Sequence, residues 1–441
     1  MGSATAAHRM ISTVDRAGMR LTDHQFDVPL NHGTPQGESL RIFAREAVDP
    51  GRFPDTALED APWLLYLQGG PGMAANRPLE LSGWLKEALK HFRVLLLDQR
   101  GTGRSSPVNR QTLPTRGGVE EQVQFLRHFR ADSIVADAEL IRTALGSGPW
   151  SILGQSFGGF CALTYLSAAP HGLRETMITG GLGPVAGTAA DVYRETYAAV
   201  QARNEEFYGW YPQDVAAALR IAAHVERVPE YLPTGERLSV RRFQMLGMLL
   251  GGNARVHELH FLLEDPFVDT AAGPRLSDGF LHQAGSILSF AANPLYALMH
   301  ESIYAQGASS GWAAWHESHH WPQFGPDADP LLFTGEMIHP WLFTEDPALV
   351  PLAGTARALA DIDDWPALYD LDQLGRNEVP AAAAVYADDI FVPHSTSMQT
   401  AAAVQGLRVW ETSEYHHDGL RQDGERVFRQ LLERCRASRH R

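Results

Sequence analysis

The stretch that decides the fold is residues 150–168, WSILGQSFGGFCALTYLSA. It begins with an apolar run typical of a buried strand, turns at GQSFG (residues 154–158) and continues as an apolar helix. The turn fits G-x-S-x-G, in which small flanking residues let the chain turn sharply and present a serine at a helix N-terminus. We therefore predict that Ser156 is a nucleophile. The alternative is a strand-to-helix turn that merely contains a serine.

Further strand patterns lie on both sides of this segment. A leading antiparallel pair is predicted around residues 26–30 and 40–45. Buried strands are predicted for WLLYL, VLLL, MIT, AAAAVY and LRVW, at residues 63–67, 94–97, 177–179, 381–386 and 407–410. Most of them precede helix-like stretches, and the chain closes with an amphipathic helix at residues 424–435. This alternation is typical of an α/β protein with a mostly parallel sheet flanked by helices.

The pattern changes in the middle of the chain. Residues 184–374 contain long helical stretches rich in Ala, Leu, Trp and His, without a convincing strand. We predict that this segment is an inserted, all-helical cap domain. Residues 1–183 and 375–441 then form the two parts of the α/β core.

The composition is that of an ordinary globular protein, with 44% hydrophobic and 20% charged residues among 441. The 52 acidic residues outnumber the 37 basic ones and give a formal charge of −15. No basic block interrupts the body of the chain, which argues against a nucleic-acid partner and favours a small cationic one.

Cysteine use and hydropathy indicate the compartment. Cys161 lies in an apolar stretch and Cys435 in a basic tail, which argues against a disulfide framework and suits a reducing environment. The N-terminus lacks the apolar core of a signal peptide, and no run approaches the ~18 apolar residues that cross a bilayer. We interpret the protein as soluble and cytoplasmic, without a membrane partner.

A serine hydroxyl alone is a weak nucleophile, so a base and an orienting acid should follow in the order Ser, acid, His. Asp388 and Asp389 follow the Ala-rich strand, and His416 and His417 follow the last strand. Because active sites of α/β proteins gather at the carboxyl ends of strands, we expect one of each pair to lie over Ser156. The pattern itself leaves the choice within each pair open, and solvated loop residues are the alternative.

Acyl transfer also needs two N–H donors for the developing oxyanion. The residue after the nucleophile, Phe157, supplies one. The loop QGGPG at residues 68–72 directly follows the strand WLLYL, and we predict Gly70 as the second donor. An ordinary glycine-rich turn is the alternative.

These motifs resemble those of the proline iminopeptidases. QGGPG resembles their HGGPG loop, DQRGTGRSSP (residues 98–107) resembles their DQRGxGxS segment, and GQSFGG matches their elbow. DIFVP (residues 389–393) resembles their D-x-x-x-P turn, and EYHHDGLR (residues 414–421) resembles their E-Y-x-H-[ND]-G-L-R. The resemblance favours Asp389 and His417 within the two pairs.

The resemblance implies an α/β-hydrolase fold and a serine aminopeptidase that needs no metal or organic cofactor. Such an enzyme releases an N-terminal residue, typically proline, from small peptides with a free amine. The acyl group would form an ester on Ser156, with Asp389 and His417 completing the triad. The sequence departs from the family at Gln68, where the family has histidine, and this leaves the backbone donor at Gly70 untouched.

A buried substrate amine needs a carboxylate partner, because an unpaired buried charge is costly. We predict Glu258 and Glu301 for this role, since both lie on apolar helical stretches of the cap. Glu258 begins ELHF, which resembles the E-x-H-[YF] stretch of the family's cap. Either carboxylate could instead face solvent or pair with an arginine.

Three rival functions remain at this point. The same triad could serve an esterase, lactonase or amidase acting on a small metabolite, because the fold and triad do not define the acyl group. A binding protein on an inactive hydrolase scaffold is the second, although no triad member is missing. The third is a zinc peptidase, since residues 316–320 (HESHH) match H-E-x-x-H. No third zinc ligand is evident, and the aromatic surroundings favour packing.

Asp98, Arg100 and Arg104 could be mistaken for catalytic groups, and we interpret them as a structural ion-pair turn behind the oxyanion loop. The sequence leaves open the preferred N-terminal residue, the accepted peptide length and the oligomeric state.

Overall fold

The protein is described by a computed structural model that covers residues 6–54 and 58–437. The strands of this part are, in chain order, β1 Ala7–Arg16, β2 Met19–Pro29, β3 Ser39–Val48, β4 Trp63–Leu67, β5 Arg93–Leu97, β6 Trp150–Gln155, β7 Leu173–Thr179, β8 Phe267–Thr270, β9 Gly273–Leu276, β10 Ala381–Tyr386 and β11 Leu407–Thr412. Nine of them form one sheet in the order β1-β2-β3-β5-β4-β6-β7-β10-β11.

The sheet is parallel from β5 to β11 and antiparallel at the other side. β1, β2, β3 and β5 pair antiparallel in succession, whereas β4, β6, β7, β10 and β11 follow β5 with parallel pairing. The predicted leading pair and mostly parallel sheet are confirmed. β1 is an additional edge strand that the sequence did not predict, because all of its residues are exposed and leave no apolar alternation.

The helices alternate with the strands in the core and crowd together in the insertion. They are α1 Gly83–Ala88, α2 Val119–Leu126, α3 Ala131–Ala144, α4 Phe157–Ala168, α5 Ala189–Trp210, α6 Gln213–Arg227, α7 Val240–Gln244, α8 Arg255–Glu264, α9 Asp278–Leu288, α10 Pro294–Met299, α11 Ala313–Ser318, α12 Leu342–Glu345, α13 Ala353–Ala360, α14 Leu371–Leu374, α15 His394–Ala403, α16 Gly419–Gln422 and α17 Gly424–Ala437.

Helices α5 to α14 lie between β7 and β10, which brackets the predicted insertion at residues 184–374. The expectation of an all-helical insertion is corrected at one place, because β8 and β9 form an antiparallel hairpin. Of the eight hairpin residues, Leu276 alone is buried. A hairpin with so little burial has no alternating apolar pattern that a sequence analysis could detect.

Both faces of the parallel sheet are covered. Every residue of β4 and β10 is buried, which explains why these strands appear in the sequence as continuous apolar runs. Helix α4 is buried from Phe157 to Leu166, and the amphipathic α17 packs against α1 and β10. The buried sheet therefore supports the turns at its carboxyl edge. Within residues 6–54 and 58–437, no helix has the length and apolar character to cross a membrane.

Candidate active site

Ser156 occupies the sharp turn between β6 and α4. Its backbone has φ 52° and ψ −125°, in the positive-φ region that side chains other than glycine rarely adopt. Such strain persists only where the surrounding structure enforces it, and here the strand and the helix hold both ends of the turn. The turn thereby raises the serine above the carboxyl edge of the sheet, as a nucleophile elbow does.

The glycines around Ser156 are required by close packing. A Cβ atom on Gly158 would lie 2.0 Å from the carbonyl oxygen of Leu67 in β4, and one on Gly154 would lie 2.3 Å from the carbonyl oxygen of Gly158. Neither distance is physically possible for real atoms. The G-x-S-x-G spacing therefore reflects the contact of the elbow with the neighbouring strand.

Asp389 and His417 are brought together at the ends of β10 and β11. The Nδ1–H of His417 donates to Asp389 Oδ2 at 2.8 Å. The other carboxylate oxygen accepts the backbone N–H groups of Phe391 at 2.8 Å and Val392 at 3.0 Å. Asp389 is only 3% exposed. Its orientation is thus determined by the turn that follows β10, and it in turn orients the imidazole.

The neighbours in each predicted pair lie elsewhere. Asp388 is exposed, and its backbone carbonyl accepts a hydrogen bond from the His416 ring at 2.9 Å. The structure therefore joins Asp389 to His417 and leaves Asp388 and His416 outside that hydrogen bond.

A short segment after β7 links the serine to the histidine. The Ser156 N–H donates to the carbonyl of Thr179 at 3.1 Å. A Cβ atom on Gly181 would lie 2.5 Å from the Ser156 carbonyl oxygen, and one on Gly180 would lie 3.3 Å from His417 Nδ1. Residues 179–181 thus contact both groups, so Ser156 and His417 lie over the same edge of the sheet.

Opposing effects act on the pKa of His417. Burial lowers this pKa, whereas the charge and hydrogen bond of Asp389, together with the charges of Glu336 and Asp418, raise it. The net result is a pKa above the ordinary value of 6.5. The carboxylates therefore stabilise the imidazolium that forms when histidine accepts a proton.

The QGGPG loop packs directly against the elbow. A Cβ atom on Gly69 would lie 3.0 Å from Ser156 Cβ, and Gly70 has φ +132°, which favours glycine. The carbonyl of Gln68 accepts a hydrogen bond from the Gln99 side chain at 3.0 Å, which ties the loop to the segment after β5. Gly69 therefore contacts Ser156, with Gly70 as the next residue of the loop, and the role of Gly70 as an oxyanion donor with Phe157 stays a prediction.

An apolar cavity of about 90 Å³ lies between the loop and the insertion. Its lining includes Met73, Tyr296 and the segment from Gly335 to Ile338. Glu336 is the one ionisable carboxylate in this lining, and the Tyr296 hydroxyl donates to it at 2.5 Å.

The cavity lies close to the QGGPG loop on one side and to a neighbour of His417 on the other. On one side, a Cβ atom on Gly72 would lie 2.6 Å from the Tyr296 backbone nitrogen. On the other, a Cβ atom on Gly335 would lie 3.9 Å from the ring of Phe391, which packs edge-to-face on His417 with centroids 5.1 Å apart. The cavity therefore extends from the oxyanion loop towards the histidine.

Glu336 is a functional candidate that the sequence analysis missed. Among the residues that the structure describes, no Lys, Arg or His lies within ion-pair distance of the Glu336 carboxylate, although its charge acts on the buried His300 and His417. A partly buried carboxylate with a neutral hydroxyl partner has unused capacity for a cation. The signal in the sequence was an acidic residue amid apolar neighbours in FTGEMIHP, but this stretch has no helical period.

The two predicted amine-binding carboxylates do not line this cavity. Glu258 lies on α8 with a side chain 57% exposed, 3.9 Å from Arg255. Glu301 is buried and accepts the backbone N–H groups of Ala313 at 3.1 Å and Ala314 at 2.9 Å. Burial raises the pKa of Glu301 to about 7, although these N–H groups oppose the shift. Amine binding by either residue stays a prediction, and the cavity favours Glu336.

The H-E-x-x-H segment lies on α11 and the turn after it. His316 and His320 are exposed, whereas Glu317 is buried and accepts the Trp321 indole N–H at 3.4 Å. Within the described ranges, no cluster of three or more His, Cys, Asp or Glu side chains could hold a metal ion.

The DQRGTGRSSP turn contains ion pairs with partners outside it. Asp98 pairs with Arg77 at 2.5 Å, and Arg100 pairs with Asp137 at 2.5 Å. Arg104 contacts Asp23 at 2.7 Å. These pairs anchor the turn to the loop after β4, to β2 and to α3.

Comparisons with known proteins agree with the geometry. Residues 62–220 match the family described as the alpha/beta hydrolase fold. The chain is 45% identical to a proline iminopeptidase of Aeromonas sobria, over 94% of this chain and 96% of that protein. It is 35% identical to the proline iminopeptidase aneH of Aspergillus aculeatus, over 94% of this chain and 93% of that protein.

Proposed function

Since the chain belongs to the proline iminopeptidase family of α/β hydrolases, we propose that it releases an N-terminal residue, proline first among them, from small peptides. The observation that carries this proposal is that the candidate triad and an apolar cavity lie side by side at one edge of the sheet. A His417–Asp389 hydrogen bond of 2.8 Å lies over the same edge as the Ser156 elbow. An apolar cavity with a carboxylate lies beside them.

We propose the following roles for the catalytic groups. His417 accepts the hydroxyl proton of Ser156 as the oxygen attacks the carbonyl of the N-terminal residue. Asp389 holds the imidazole in the tautomer whose Nε2 is free to accept that proton. The N–H groups of Gly70 and Phe157 receive the negative charge on the carbonyl oxygen.

The second half of the reaction uses the same groups in reverse. His417 protonates the leaving amine, and the N-terminal residue remains as an ester on Ser156. His417 then accepts a proton from water, whose oxygen attacks the ester carbonyl. It returns that proton to Ser156 Oγ as the ester C–O bond breaks and the free N-terminal amino acid leaves. The raised pKa of His417 suits both steps, because the imidazolium must persist until it donates its proton.

The free amine is recognised by Glu336 in this proposal. The carboxylate lies in an apolar lining, where an ammonium group would pair with it in a low-dielectric environment. A substrate whose N-terminus is acylated lacks this cation and would leave the carboxylate unpaired. Glu258 and Glu301 remain the alternatives from the sequence. The site thereby selects the first residue of a peptide.

The test is turnover of a panel of aminoacyl-naphthylamides together with N-acetylprolyl-naphthylamide. We expect prolyl-naphthylamide with a free amine to be hydrolysed fastest. The acetylated substrate should be hydrolysed at least about 100-fold more slowly, because an acetylated amine cannot form the ion pair. Equal rates for the free and acetylated substrates would remove amine recognition. That result would favour the esterase, lactonase or amidase alternative.

We also propose that the enzyme works in the cytoplasm on peptides and has no nucleic-acid partner. Cys161 and Cys435 are both buried, and neither forms a disulfide within the described residues, which suits a reducing compartment. Burial raises the pKa of the Cys161 thiol and keeps it unreactive. The formal charge of −15 favours cationic substrates over polyanions.

A further inference from the structure

The cavity beside the catalytic groups is unusually rich in methionine. Four of the chain's ten methionines line it: Met73, Met245, Met248 and Met337. Met245 and Met337 are buried, and Met73 and Met248 are partly buried against the same core. Methionine has three rotatable side-chain bonds and a polarisable sulfur, so it adapts to the shape of an apolar neighbour.

The position of these methionines relates them to one residue of the substrate. Met73 lies beside the oxyanion loop, since a Cβ atom on Gly70 would be 3.4 Å from Met73 Cγ. Met337 directly follows the carboxylate Glu336. In an N-terminal residue the carbonyl and the amine are attached to the same Cα. If the loop binds the carbonyl and Glu336, which lines the cavity, binds the amine, the Cα of that residue lies at the cavity and its side chain can occupy it.

We infer that Met73, Met245, Met248 and Met337 form the subsite for the side chain of the N-terminal residue and limit its size. This inference rests on the proposed function, because it needs the carbonyl and the amine to be held as described there. The subsite takes compact apolar groups, with the pyrrolidine ring of proline as one example. It excludes charged side chains, since Glu336 is the one ionisable carboxylate in the lining and is used by the amine.

Two of the methionines are supported by a segment that also contacts the histidine. Met245 and Met248 belong to the 3-10 helix Met245–Gly251, in which residues three apart share a face. The carbonyl of Gly251, at its end, accepts the backbone N–H of His417 at 3.1 Å. The wall of the subsite is thus positioned relative to the catalytic base by the backbone, while the methionine side chains supply the adaptability.

The experiment changes the volume of the subsite at Met248, which is partly buried and tolerates substitution better than a fully packed residue. We compare Met248→Ala and Met248→Phe on prolyl-, alanyl- and phenylalanyl-naphthylamide, which share one leaving group. Met10→Ala and Met10→Phe are matched controls, because Met10 is 61% exposed on β1. Labelling of Ser156 by a fluorophosphonate shows that each variant is folded with an active nucleophile.

We expect Met248→Ala to raise the phenylalanyl-to-prolyl ratio of kcat/KM at least tenfold, because the larger cavity admits the bigger side chain. Met248→Phe should lower prolyl kcat/KM at least tenfold, chiefly through KM. The Met10 variants should leave both values within about twofold. Unchanged ratios in labelled Met248 variants would overturn the inference.

The proposed function is judged separately, by the wild-type enzyme. A wild type that cleaves N-acetylprolyl-naphthylamide as fast as the free amine contradicts the proposed function. If the Met248 ratios nevertheless shift as expected, the methionines bind the acyl side chain of another substrate class, and the inference in its present form is overturned together with amine recognition. A selective wild type with unchanged ratios overturns the inference alone.

Discussion

Two carboxylates of the candidate active site, Asp389 at the edge of the sheet and Glu336 in the helical insertion, are held in opposite ways. Asp389 is 3% exposed, accepts two backbone N–H groups and faces His417. Glu336 faces an apolar cavity and accepts one hydrogen bond from a tyrosine hydroxyl. The first carboxylate has its partners inside the protein, whereas the second keeps capacity for a cation from outside.

In the proposed function, the reaction and the selection of the substrate are assigned to these two differently built regions. Groups at the sheet edge are positioned by backbone turns and by glycines that no larger residue could replace. Groups around the cavity are side chains on loops and short helices, including four flexible methionines. Catalysis needs fixed geometry, while recognition of different side chains tolerates adjustment. Substitutions in the two regions should therefore differ in the size and kind of their effects.

The largest effect is expected at Ser156. Ser156→Ala removes the nucleophile, and kcat for prolyl-naphthylamide should fall at least about 10⁴-fold. Steady-state kinetics and the loss of fluorophosphonate labelling measure this, with thermal unfolding as the control for folding. Activity that survives the substitution and is abolished by a chelator would indicate the zinc peptidase instead.

A slightly smaller loss is expected at the orienting acid. Asp389→Asn should lower kcat about 10⁴-fold, because an amide favours the wrong imidazole tautomer. Asp388→Asn is the matched control, since Asp388 is the adjacent, exposed residue. It should retain kcat within about twofold. The opposite order of the two variants would assign the acid to Asp388.

On the recognition side, the effect should depend on the substrate. Glu336→Gln should lower kcat/KM for prolyl-naphthylamide about 100-fold, because an ion pair in an apolar cavity is lost. The loss for the acetylated substrate should be much smaller, since that substrate has no cation. Glu258→Gln and Glu301→Gln are the controls. A 100-fold loss in either of them, with a near-normal Glu336→Gln, would move amine binding to that residue.

The smallest effect concerns the pH at which the enzyme becomes active. The base must be neutral, so activity falls as the pH drops through the raised pKa of His417, and the midpoint should lie above 6.5. The charge of Glu336 contributes to that raised pKa, so Glu336→Gln should shift the midpoint downward. The rate of fluorophosphonate labelling against pH measures this without a substrate amine. An upward shift, or the same shift in Glu258→Gln, would contradict the assignment.

The region at the edge of the sheet was predicted well from the sequence. The bounds of WLLYL and AAAAVY agree with β4 and β10 to the residue, because both strands are buried throughout and bounded by turn residues. The elbow was recognisable because its glycines and serine are contiguous. The choice of Asp389 and His417 came from the family resemblance, and the structure joins these two by a hydrogen bond.

Most of the residues that line the cavity could not be predicted from the sequence. Glu258 and Glu301 were selected because each is an acidic residue in an apolar helical stretch, a local criterion that does not report what the side chain contacts. In the structure one is exposed and the other is held by backbone N–H groups. Glu336 lies in an irregular segment, where no periodicity indicates which way a side chain faces. Glu336 faces a cavity that is also lined by Tyr296 and Met73, and both of these residues are distant from it in the chain.

The fold class, the elbow and the order of the candidate catalytic groups could be predicted from the sequence, because each depends on contiguous residues with a local physical meaning. Which carboxylate faces the cavity and which methionines surround it depends on the tertiary structure. Those properties arise where the loop after β4, the helical insertion and the turn after β10 meet. Contacts between segments that are distant in the chain depend on long-range packing, so no short stretch of sequence predicts them.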